Sequence, residues 1–223
     1  MTKVSAAARS WTYLGLAIAL LGIPAASVIF RAAGFTRNDD GAIVVRELAI
    51  LALVGVLLWI VRRREGAPLS SIGIRPQTVG SAILWTLATM LAFAAALFFC
   101  LGLLLPGLGL AYGSQGAPAV SLAVTTLVVL RAGIAEEIFY RGYAIERLEA
   151  LTGSRAVAAV VPLLMFAGFH FSQGVAGVLI SFFVGAVATA IYLWKRNLVI
   201  LMAAHFTLDF VPNVLMPLIA RQG

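Results

Sequence analysis

Residues 77–130 contain no lysine, arginine, aspartate or glutamate. One membrane helix needs about 20 apolar residues, so this run is longer than a single crossing. The rest of the chain agrees: 62% of its 223 residues are hydrophobic, 11% are charged and the mean hydropathy is +1.03. A soluble domain carries about 25% charged residues. The chain reads as an integral membrane protein.

The net charge of +7 does not point to nucleic acid. Most basic residues sit in short groups between apolar runs, such as "RRRE" at 62–65 and "KRN" at 195–197. That placement reports membrane orientation rather than a phosphate-binding face. The single cysteine, Cys100, lies in an apolar run, so neither a disulfide framework nor a thiolate metal site is expected. Lys3 and Arg9 precede an apolar stretch that is long for a signal peptide and is read as the first transmembrane helix.

Seven apolar segments follow, at about 11–33, 43–61, 79–105, 119–145, 156–171, 174–194 and 198–219. Turn-forming stretches separate them, notably "PGLGLAYGSQGAP" at 106–118 and "SQGVAG" at 172–177. The expected fold is all-α: a polytopic transmembrane bundle of about seven helices, six to eight. Eleven basic residues fall in the loops on one side and four (Arg31, Arg37, Arg46, Arg221) on the other. The positive-inside rule then places the N-terminus in the cytoplasm. Trp11, Trp59, Trp85 and Trp194 all fall near that side, as an aromatic belt requires.

Ionisable groups at membrane depth are costly and normally face a protein interior or a water-filled cavity. Glu136, Glu137, Arg141, His170, His205 and Asp209 are such groups. Measured from the nearest flanking charge, Glu136 lies about 15 Å deep, His205 about 14 Å and His170 about 22 Å. All three fit one cavity in the cytoplasmic half, His170 least well. Glu137 and Arg141 are spaced i,i+4, as are His205 and Asp209, so each pair shares a helix face. Glu136 points about 100° away from Glu137. The expected division leaves Glu137 as structural partner of Arg141 and Glu136 free to activate water. Arg131 has no expected partner in its own helix, and could meet a carboxylate on another helix or on a substrate.

Three motifs carry a resemblance. "AEEIFYRGY" at 135–143 resembles the EExxxR motif of the CAAX-protease and bacteriocin-processing (Abi) family of intramembrane proteases, relatives of the Rce-type CAAX prenyl endopeptidases. "FAGFH" at 166–170 is similar to its FxxxH motif, and "HFTLDF" at 205–210 to its HxxxN/D motif. The likeness covers about residues 68–212. It implies a catalytic core over 68–223, preceded by two generic helices within 1–67.

The resemblance further implies an endopeptidase acting on membrane-associated or lipidated peptides in a bacterial plasma membrane, its site open to the cytoplasmic half. Glu136 would be the base, His170, His205 and Asp209 would orient water and stabilise the oxyanion, and Glu137, Arg141 and Phe166 would support the site. Two histidines and a carboxylate could hold Zn²⁺. No HExxH is present, and metal-free glutamic catalysis is the preferred expectation. The alternatives are a silent partner, such as a bacteriocin immunity protein, and an ion-coupled transporter. Inverted repeats would mark the latter, and none is visible.

Overall fold

The computed structural model describes residues 6–35, 39–113 and 120–220. They form a bundle of long helices with no strand among the described residues. We label them α1 (Ala6–Ala32), α2 (Asp40–Arg64), α3 (Val79–Gly107), α4 (residues 122–152), α5 (Arg155–Phe169), α6 (Gly174–Lys195) and α7 (Leu198–Ala220). A single-turn 3₁₀ helix at Leu69–Ile72 precedes α3, and another at His170–Gln173 joins α5 to α6. Helices dominate because a backbone in lipid must satisfy its own N–H and C=O groups.

Local chemistry sets the helix starts. Asp39, Thr78, Ser121, Ser154 and Asn197 each stand in extended backbone before a helix, and each side chain accepts a backbone N–H of the first turn. The turn between α6 and α7 holds Arg196 at φ 48°, a conformation that costs a side-chain-bearing residue. Two ion pairs hold it there: Arg196 Nη1 donates to Glu146 Oε1 (2.8 Å) and Nη2 to Glu149 Oε2 (2.7 Å).

Among the described residues five stretches are long and apolar enough to cross a membrane: Arg9–Ala32, Asp40–Arg64, Val79–Gly107, Arg155–Lys195 and Leu198–Ala220. α4 is not among them, because its middle third carries charges. It occupies the bundle axis instead, with α1, α2, α5 and α7 packed around it. From 132 to 145 every residue except Ile134 is buried. One hydrophobic core runs through the molecule, from Leu16 and Ile23 on α1 through Phe139 and Tyr143 on α4 to Leu201 and Ala204 on α7. The helix expected to end near 145 continues to 152, since Tyr192 and Arg196 anchor Glu146.

The end of the bundle carrying Arg62–Arg64 is pinned by polar contacts. Glu65 accepts from Arg147 (2.7 and 2.9 Å), from Tyr143 Oη (2.7 Å) and from Thr12 Oγ1 (2.9 Å), tying α1, α2 and α4 together. Arg64 lies 4.6 Å from both the Trp11 and Trp59 rings, and Lys195 lies 3.3 Å from the Trp85 ring and 3.7 Å from that of Trp194. The four tryptophans thus meet in two pairs at the basic end.

Candidate active site

Residues 132–145 of α4 are wound with i→i+5 hydrogen bonding. Such π-type winding is rare and is found mostly at functional sites. It turns less per residue than an α-helix, which changes which side chains meet. Residues five apart come into line. Arg131 Nη1 donates to Glu136 Oε1 at 2.7 Å, an i,i+5 pair. The expectation that Arg131 lacks a partner in its own helix was drawn from α-helical spacing and is corrected here.

Arg131 also reaches across to α2, where its Nε donates to Glu47 Oε2. Glu47 is fully buried, and its other oxygen accepts from Arg46 Nε (2.8 Å) and Nη2 (2.6 Å). A row of alternating charges, Arg46–Glu47–Arg131–Glu136, therefore runs from α2 into the centre of α4. One oxygen of Glu136 belongs to this row, so the carboxylate is not as free as its spacing suggested. Its second oxygen, Oε2, faces His205 Nε2 at 3.9 Å.

Glu137 does pair with Arg141, whose Nη1 donates to Oε1 at 3.0 Å. The same oxygen lies 2.8 Å from His205 Nδ1. A carboxylate oxygen can only accept, so Nδ1 carries the proton. The imidazole of His205 therefore lies between the two glutamates, one nitrogen towards each. Sequence reasoning split Glu136 and Glu137 between separate tasks because they point in different directions. A ring with a nitrogen on each of two edges serves both. Asp209 Oδ2 lies 3.4 Å from Nε2, completing three carboxylates around one ring.

The Arg141 guanidinium carbon lies 4.1 Å from the Phe166 ring centroid. Arg141 Nη2 also donates to the Gly185 carbonyl at 3.4 Å. A Cβ at Gly185 would come within 3.0 Å of that nitrogen and 2.9 Å of the Phe166 ring, so glycine is required for the approach of α6.

His170 stands apart from these polar contacts. It ends α5, and its Nδ1 donates to the Phe166 carbonyl at 2.8 Å. Its ring packs on Phe166 and Phe169, with centroids 4.9 and 4.1 Å away. The bond at Nδ1 leaves Nε2 of the neutral ring as an acceptor. Among the described residues, no three His, Cys, Asp or Glu side chains are grouped so as to hold a metal ion.

Two residues of the site escaped the sequence reading. Glu47 is as anomalous in its apolar helix as Glu136, and that anomaly was the available signal. Tyr140 is fully buried between Phe166 and Phe169, and its hydroxyl has no hydrogen-bond partner among the described residues. Glu137 Oε2 is likewise buried without one. Unpaired buried polar atoms are exceptional in folded proteins. Among the described residues two of the three such atoms lie on the helix that carries the acids; the third, Gln77 Nε2, precedes α3.

Arg131 and His170 both line a cavity of about 390 Å³. It lies between α1, α2 and residues 169–173, at the end of the bundle carrying Arg31 and Arg46.

Residues 118–211 match the family model "Type II CAAX prenyl endopeptidase Rce1-like". The matched span contains Glu136, Glu137, Arg141, His170, His205 and Asp209, so the resemblance seen in the three motifs holds over that stretch. It supports, in general terms, a CAAX-type endopeptidase of the membrane. No curated protein and no solved structure matches the chain.

Proposed function

We propose that this protein is an intramembrane endopeptidase that hydrolyses membrane-associated or lipidated peptides, with Glu136 as the general base. The observation that carries the reading is the setting of Glu136. Arg131 holds Oε1, while Oε2 faces His205 Nε2 at 3.9 Å, a spacing that a reacting water can bridge. Neutral His170 accepts from that water through Nε2. Glu136 takes the water's proton as the hydroxide adds to the scissile carbonyl. His205, held as the imidazolium between Glu137 and Asp209, donates its Nε2–H to the developing oxyanion. Collapse breaks the C–N bond, and the proton on Glu136 passes to the departing amine.

Arg141 and Phe166 act by fixing Glu137, and through it the imidazole. Glu47 acts by fixing Arg131. No step is assigned to a metal; elemental analysis of purified protein tests this, and stoichiometric zinc lost on His205→Ala would overturn it. The loop charges support a cytoplasmic N-terminus.

The test compares wild type with Glu136→Gln in detergent, against a quenched peptide library that includes farnesylated members. Cleavage that disappears in the variant at unchanged Tm supports the assignment. Equal cleavage by both proteins places the base elsewhere.

A further inference from the structure

Two cations at the basic end of the bundle are held in the same way. Arg64 packs on Trp11 and Trp59, 4.6 Å from each ring centroid, and the two rings meet edge to face at 81°. Lys195 packs on Trp85 and Trp194, 3.3 and 3.7 Å from the centroids, and those rings meet at 87°. The first arrangement joins α1 to α2 and the second joins α3 to α6. α1 packs on α2, and α3 on α6, so each arrangement lies over a seam between neighbouring helices. A ring attracts a cation through its quadrupole but carries no net charge to neutralise it. The acids of this end are engaged elsewhere, Glu65 with Arg147, and Glu146 and Glu149 with Arg196. Among the described residues, no carboxylate pairs with Arg64 or Lys195. Both therefore keep a full charge and N–H donors that an anion can meet.

We propose that Arg64 with Trp11 and Trp59, and Lys195 with Trp85 and Trp194, form two sites for the phosphate of an anionic phospholipid. Position selects a lipid, because tryptophan belts lie at the level of the headgroups. One turn deeper, Leu14 and Val56 stand exposed on the faces of Trp11 and Trp59, and Ala88 and Ala190 on those of Trp85 and Trp194. A lipid whose phosphate meets the cation can thus lay its chains along the apolar surface of the same seam. Charge selects an anionic lipid, since a zwitterionic headgroup brings an ammonium that an uncompensated cation repels. The ring contacts hold each cation before the lipid arrives, which lowers the ordering that binding costs. A lipid seated across a seam joins two helices, and a ligand that binds only the folded state stabilises it. Arg62 and Arg63 are exposed beside Arg64, yet among the described residues neither packs on an aromatic ring. They measure what undirected attraction contributes.

The experiment uses the full chain in detergent and counts retained lipids by native mass spectrometry. The probes are phosphatidylglycerol and phosphatidylcholine with the same acyl chains. Wild type is expected to retain two phosphatidylglycerols and no phosphatidylcholine. Arg64→Gln and Lys195→Gln should each retain one, and the double variant none. Trp11→Leu should also lose one, although the charge remains, while Arg64→Lys should keep both. Arg62→Gln removes the same charge from the same turn and should keep both. If Arg62→Gln loses as much as Arg64→Gln, the attraction is diffuse and the proposal is overturned. Equal retention of the two lipids overturns it as well. So does displacement of the lipid by an equal concentration of glycerol phosphate, which would make these sites for a soluble phosphate. Melting gives a second reading that does not depend on counting. Wild type should melt higher in phosphatidylglycerol than in phosphatidylcholine nanodiscs, and the double variant should lose that difference; a difference that persists sinks the assignment.

Discussion

α3 and α4 are helices of similar length with opposite contents. α3 contains no charged residue and is the least buried of the apolar stretches, with Leu91 and Phe98 each 73% exposed. α4 carries Arg131, Glu136, Glu137 and Arg141, and its middle is almost wholly enclosed. In water the order would be reversed. Lipid solvates apolar side chains as well as a protein core does, so hydrophobicity alone gives no reason to bury α3. Charges have no such alternative, and α4 is driven to the axis, where each ion finds a counter-ion. In a bundle of this kind, the most polar helix marks the centre.

The largest expected effect falls on chemistry in α4. Glu136→Gln should lower kcat by about 10²–10⁴-fold, since that is the usual contribution of a general base. Steady-state cleavage checks it, and a loss below threefold would break the assignment. Next is Arg141→Met, which strands Glu137 beside His205. Removing one member of a buried pair costs about 3–5 kcal/mol, readable as a lowered Tm in detergent. The double variant with Glu137→Leu should recover most of that loss, and failure to recover would deny the pair its structural role.

Glu47→Gln is expected to weaken the hold on Arg131. Its activity should fall by about one to two orders of magnitude, as for other outer partners of a site. The pH–rate profile should shift while KM changes little; a change confined to KM would show that Glu47 serves binding instead. A smaller effect concerns Glu65, outside the membrane spans. Its burial favours the neutral acid, but Arg147 with the hydroxyls of Tyr143 and Thr12 outweighs that and holds the carboxyl below its ordinary value. A lowered folded pKa stabilises the protein above the unfolded value of about 4.3, and the gain is lost as pH falls through the folded one. The Tm gap between wild type and Glu65→Gln should therefore be constant near neutrality and close below about pH 4. The smallest effect is on α3: Leu91→Ala, facing lipid, should alter stability by no more than about 0.5 kcal/mol. A loss comparable to Arg141→Met would mean that α3 is covered by a partner.

The helical membrane fold was legible because length and hydropathy alone decide it: a chain this apolar can satisfy its backbone in lipid only as helices. The caps at Asp39, Thr78, Ser121, Ser154 and Asn197 were legible in principle too, being local. So was much of the cluster of costly residues, since charged residues in apolar segments are few and each demands a reason, although Glu47 and Tyr140 were missed. Who touches whom was not. The Arg131–Glu136 pair depends on π-type winding, which α-helical spacing cannot anticipate. The placing of His205 between two glutamates depends on the distance between α4 and α7. Glu47 was visible as an anomaly, yet its partner lies 84 residues away on another helix. Sequence by itself determined the solvent, the secondary structure and the list of costly residues, because those follow from transfer free energies and local spacing. Only the tertiary structure decided the pairing of those residues, because an ion in a bilayer is satisfied by whatever counter-charge the packing brings within hydrogen-bond reach.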